Sequence, residues 1–222
     1  FLIGGAMWFV FGMAGVNFPF IWALVFGALI SPTDPVAVLG LFKTVKVPDT
    51  LKATMAGESL FNDGIGVVVF TVVVAIAVGS AGQGGEMDAL TIAKLFFTEA
   101  VGGAVLGFVA GYIGYRAMHG INEVSLEVLI TLALVMVTYS LAIFLHLSGP
   151  IAMVVAGLFI GNHGVKYAMS DHTREGVEQF WTLMDEILNS VLFLLIGLEV
   201  LVIADRFEHL WFAIIAIPVV LA

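Results

Sequence analysis

Long apolar runs alternate along this chain with short stretches of Gly, Pro, Asn and charged residues, and the alternation predicts helices over 1–13, 20–44, 50–79, 90–116, 123–146, 149–161, 174–203 and 208–222. Most of these segments are apolar on every face instead of along one stripe, so lipid must cover much of them. About 20 helical residues at ~1.5 Å each cross the ~30 Å hydrocarbon layer, which most of the interior segments can do. The segment 149–161 is short enough to be re-entrant, although a full span completed by Leu145–Ser148 keeps the sides of the loops in step. The first and last segments are cut by the chain ends, with no initiator Met and no signal-peptide pattern. The expectation is an all-α polytopic membrane protein, with residues 1–222 forming a single transmembrane domain from the middle of a longer chain.

Composition supports this reading, with 61% hydrophobic and 11% charged residues and a mean hydropathy of +1.11. Lipid is therefore a partner. A net charge of −9 excludes nucleic acid, whose phosphates require clustered Lys and Arg. No cysteine is present, so redox compartment is left open. Lys43, Lys46, Lys52, Arg116, Lys166 and Arg174 fall in or beside three alternate loops, and the intervening loops hold only Arg206. The positive-inside rule makes the first group cytoplasmic and tests the segmentation, because omitting one span would mix the two groups.

Two carboxylates break the apolar pattern where charge is most expensive. Asp34 and Asp63 lie near the middle of their segments, where an ionised acid costs roughly 2.5 to 3.5 kcal/mol on insertion scales. No Lys or Arg within the chain is placed to neutralise them. They must be protonated, bind a cation, or pair with a base elsewhere in a longer protein.

Around Asp34 the sequence reads Ser31-Pro32-Thr33-Asp34-Pro35. Pro32 and Pro35 each lack an N–H, freeing the carbonyls of Ala28 and Ser31, and each disfavours helix in the residue before it. A broken helix follows, with Asp34 as N-cap and Pro35 at the first position of the second half. Such a break is tolerated at mid-depth only beside protein or a water-filled cavity. A cap alone could be Ser or Asn, without the charge.

The next segment carries Gly57-Glu58-Ser59-Leu60-Phe61-Asn62-Asp63-Gly64. At about 100° per residue, Glu58, Ser59, Asn62 and Asp63 fall near 0°, 100°, 40° and 140°, one polar face on an apolar helix. Inter-helix glue uses Ser and Asn but does not require two carboxylates. Asp63 lies about 4 Å from the middle of its segment, and Glu58 about 11 Å to the cytoplasmic side. Asp34 and Asp63 can therefore meet at one depth.

Together, and continuing into Val36-Ala37-Val38, these two motifs resemble those of the monovalent cation:proton antiporters of the NhaP-type and eukaryotic sodium/proton exchanger group. Asn189-Ser190-Val191-Leu192-Phe193-Leu194-Leu195-Ile196-Gly197 is similar to a later span of that group. The resemblance implies an inverted-repeat fold, a homodimer and alternating access. It makes Asp63 the carrier of cation and proton, with Asn62 beside it, and adds Ser59, Asp34 and the Thr33 carbonyl as ligands. Glu58 matches an acid that pairs with an arginine in a later span, and neither that arginine nor a second broken helix has a counterpart in this chain.

The function expected is exchange of Na+, Li+ or K+ for H+ across a plasma (inner) membrane, without enzymatic chemistry or cofactor. Carboxylate, hydroxyl and carbonyl oxygens suit a hard monovalent cation and not a transition metal. The Asn62-Asp63 pair, by resemblance, implies electroneutral 1:1 exchange. A potassium:proton antiporter is the alternative within the same fold. A cation channel lacks a filter-like carbonyl repeat here. An intramembrane protease lacks both the Gly-x-Gly-Asp and the Gly-x-Ser-x-Gly arrangements. An acidic stripe at Glu175, Glu178, Thr182, Asp185, Glu186 and Asn189 reads as a solvated helix extension, and Gly103, Gly107 and Gly111 as a ridge for close helix packing.

Overall fold

The computed structural model describes residues 1–32, 47–81, 88–164, 169–203 and 210–221, and every regular element among them is helical. The helices are α1 (Leu2–Met13), α2 (Phe20–Ile30), α3 (Asp49–Ala81), α4 (Ala89–Met118), α5 (Val124–Phe144), α6 (Gly149–Phe159), α7 (Asp171–Ile203) and α8 (Leu210–Leu221), with a π-helical turn at Ile160–Gly164. Thr50–Gly79, Leu90–Met118 and Val124–Phe144 are long and apolar enough to cross a membrane. Leu2–Met13, Phe20–Ile30 and Gly149–Asn162 are shorter apolar helices.

Local chemistry sets the ends. α1 stops where Gly15 turns left-handed (φ 77°) and the Val16 N–H reaches back to the Phe11 carbonyl. α5 ends in the same geometry, but His146 takes the left-handed position (φ 55°), with Leu147 N–H bonded to Ala142 O at 2.8 Å and His146 N–H to Ile143 O at 3.1 Å. Ser148 then caps α6, its hydroxyl accepting the Ile151 N–H at 3.3 Å. Leu145–Ser148 thus form a turn and a cap and do not lengthen the short segment. α6 is extended at its other end, by the π turn to Gly164.

α7 begins at Asp171, inside the stretch assigned above to a loop. Ser170 and Thr173 cap it reciprocally, each backbone N–H bonding to the other's hydroxyl, at 3.1 and 3.2 Å.

Two compact units emerge. One holds Phe1–Ala110 and Met136–Leu158, the other Gly111–Val135 and Phe159–Ala222. In the first unit small residues bring backbones together. A Cβ on Gly4 would stand 2.7 Å from Ala23 O, and one on Gly103 2.6 Å from Ser148 O, while Gly107 lies directly on Ala152 O. Gly103 and Gly107 therefore carry the α4–α6 contact. Ala23, Val68, Ala77, Ala142 and Ala152 make up much of this core.

In the second unit Gly176 of α7 lies directly on the Val124 side chain of α5. The C-terminal half of α7 presents Leu188, Leu194 and Leu201 to its surroundings, the last 70% exposed. That surface suits lipid or further helices.

A candidate cation site at the break after α2

The described part of α2 closes where the prolines predict. Ser31 donates both its N–H (3.2 Å) and its hydroxyl (2.6 Å) to Gly27 O, and the helix ends at Ile30 before Pro32. The Pro32 ring rests on Gly66 of α3, closer than any Cβ there would permit. This contact fixes the depth at which α2 stops. Gly66 is one helical turn beyond Asn62 and Asp63, so the end of α2 stands within about 5 Å, along the axis of α3, of the acidic motif.

A second close contact holds α3 from another side. A Cβ on Gly64 would meet Ile151 Cγ1 of α6 at 3.4 Å and Val154 Cγ2 at 3.9 Å. Taking Asn62 as the reference at about 100° per residue, Gly66 lies near 40°, Asp63 near 100° and Gly64 near 200°. Asp63 therefore projects between the contact with Pro32 and the contact with α6. Its depth follows chiefly from Gly66, where no Cβ fits, while at Gly64 a Cβ would make ordinary van der Waals contact with α6.

The polar motif is divided by this placement. Ser59 is 7% exposed and Asn62 half-buried, whereas Glu58 and Asp63 are exposed. Asn62 lines a cavity of about 200 Å³ together with Leu24, Ala28, Ser31, Pro32 and Gly66. A cavity of that size beside the end of a helix can hold several waters or a partly hydrated small cation. Thr33, Asp34 and Pro35, and with them the second half-helix expected from the sequence, lie outside the described residues.

The acidic stripe of α7 is a separate feature. Glu175, Glu178, Thr182 and Glu186 line an open groove of about 390 Å³, and Arg174 Nε donates to Glu178 Oε1 at 2.8 Å. Both partners are about half exposed or more, as on a solvated extension.

Sequence reasoning passed over one acid. Glu127 is fully buried, and among the described residues neither carboxylate oxygen has a hydrogen bond of proper geometry. An acid in the first turn of a helix is ordinary, since the helix dipole favours it, and nothing in the sequence set Glu127 apart from such a surface acid. The available signal was register, because Val124, Glu127 and Thr131 occupy one face of α5.

Against known proteins, the family description "Sodium/hydrogen exchanger, transmembrane" matches residues 1–222. The chain is 52% identical over 209 residues to the Na+/H+ antiporter NhaP of Pseudomonas aeruginosa, covering 94% of this chain and 48% of that protein. It is 37% identical over 203 residues to the Na+/H+ antiporter NhaH of Halobacillus dabanensis, covering 89% and 48%. With the Na+/H+ antiporter ApNhaP of Aphanothece halophytica it shares 35% over 215 residues, covering 94% and 39%. The chain spans about half the length of the first of these relatives, and less of the last.

Proposed function

The chain belongs to the sodium/hydrogen exchanger family, and from that membership we propose that the intact protein is a sodium:proton antiporter of the plasma (inner) membrane. Asp63 carries either H+ or Na+. Asn62, Ser59, Asp34 and the Thr33 carbonyl complete the cation's oxygen shell, and the protein works as a homodimer in which both compact units belong to one transmembrane domain. Competition for one carboxylate couples the ions, because a site holding a proton cannot hold Na+ and must exchange one for the other as it faces alternate sides.

The observation that carries this reading is the seating of Pro32 on Gly66, which supports placing the helix break at the level of Asn62 and Asp63. The named relatives are Na+/H+ antiporters, which favours sodium over potassium as the cation. The test is ion flux by the intact protein in proteoliposomes without a membrane potential. A Na+ gradient should drive opposed proton movement, and Asp63→Asn should abolish it while membrane insertion is retained. Near-normal sodium-dependent proton flux in that variant would overturn the assignment of Asp63. Collapse of a Na+ gradient without proton movement would mark a channel.

A further inference from the structure

A second acid stands apart from the transport reading, in the compact unit that does not contain Asp63. Three contacts join the N-terminal ends of α5 and α7. Asn122 Oδ1 accepts the Ser170 hydroxyl at 2.7 Å, Val124 lies on Gly176, and Trp181 Nε1 donates to Thr131 Oγ1 at 3.1 Å. The pairs advance in the same direction along both helices. Glu127 falls between the second and third on the same face of α5, one turn from each. Its side chain is 0% exposed, it interacts with Thr173, itself 0% exposed, and neither of its oxygens has a hydrogen bond of proper geometry.

A carboxylate enclosed in this way must be neutral or must hold a cation. The surrounding oxygens decide between the two. Thr131 Oγ1 already donates to Val128 O and accepts from Trp181, and Thr173 Oγ1 is engaged with Ser170. A metal ion needs several free oxygen ligands, whereas a proton needs one. Among the described residues the charged groups at these helix ends leave Glu127 without an ion pair, and Lys166 lies outside those residues. Arg116, His119, Glu123, His172 and Arg174 have exposed side chains, Arg174 is bonded to Glu178, and among the described residues none bonds to Glu127.

We propose that Glu127 is a second proton-binding site, separate from the transport carboxylate, and that its neutral form is required for α5 and α7 to pack at their N-terminal ends. Loss of the proton places an uncompensated charge in the contact and opens it to water. Because the packed form binds the extra proton, the contact is complete at low pH and weakens as pH rises.

The chain has no cysteine, which makes a single reporter thiol clean. In the intact protein freed of any other cysteines, Val177→Cys places the thiol at a position 8% exposed on α7, one turn beyond Thr173. Maleimide labelling, normalised at each pH to the unfolded protein, should rise at least about tenfold from the low-pH to the high-pH end of the range in which the protein stays folded. Adding Glu127→Gln should hold it at the low-pH value throughout, and adding Asp63→Asn should leave the rise intact. Backbone hydrogen exchange in α5, corrected for intrinsic rates, follows the same opening without the reporter and covers the case in which Glu127→Gln does not fold.

Four results would overturn the proposal. They are labelling and exchange flat with pH, labelling that falls as pH rises (marking an ionised, paired Glu127), closure driven by Na+ at fixed pH, and a rise abolished by Asp63→Asn.

Discussion

Asp63 and Glu127 show how much a residue's neighbours decide about it. Asp63 stands out from its own segment, because Asn-Asp on an apolar helix has no ordinary structural use and the motif can be picked out without any contact being known. Glu127 does not, because the residues that meet its face of α5, Thr173, Gly176 and Trp181, lie about 46 to 54 positions away in sequence. His146 belongs to the second kind. Its place in a left-handed turn is fixed by the Leu147–Ala142 hydrogen bond, and no sequence rule puts His there ahead of Gly or Asn. Left-handed backbone costs a side-chain-bearing residue roughly 1 to 2 kcal/mol, part of which glycine returns as entropy lost on folding. His146→Gly should therefore stabilise the protein by about 0.5 to 1 kcal/mol, read as a higher thermal midpoint in detergent. A lower midpoint would show that the imidazole makes a compensating contact.

At the scale of the helices, turn residues carried most of the information. Pro19, Gly15 and Pro32 bound α1 and α2 near the positions expected, since each acts on the backbone within a residue or two. The start of α7 was misjudged because its cap is two hydroxyls, Ser170 and Thr173, in a stretch that reads as loop. Ser170→Ala removes its half of that cap and the bond to Asn122, and should cost about 1 kcal/mol or somewhat more of stability, read as a lower thermal midpoint. Gly66→Ala tests the seat of the helix break. In a free helix alanine would be favoured by about 1 kcal/mol, but here its Cβ collides with the Pro32 ring. The variant should insert normally yet raise the apparent Na+ constant by about tenfold or more, measured as sodium-dependent proton flux. Unchanged affinity would mean that the depth of Pro32 does not position the cation ligands.

For the molecule as a whole, the fold class was legible from hydropathy, while the division into two compact units was not. Helices apolar on all faces give no sign of which neighbour each will choose, and the deciding features are small residues meeting backbone, as at Gly107 with Ala152. Exchange of two ions at one carboxylate has a whole-molecule signature. As pH falls below the titration point of the site, the apparent Na+ constant should rise about tenfold per unit while maximal transport stays constant. The measurement is sodium-dependent flux across a pH series without membrane potential. A constant that stays flat while the maximum falls would place proton control elsewhere, and Glu127 is then the first residue to test. The seat of Pro32 on Gly66 has one more consequence, in the currency of descent. A pyrrolidine ring and a bare Cα fit as one unit, so neither can change alone without passing through a form in which the break is displaced. Among descendants of this chain the two positions should be kept together or lost together, and a lineage that keeps Pro32 with a larger residue at 66 should have stopped exchanging sodium.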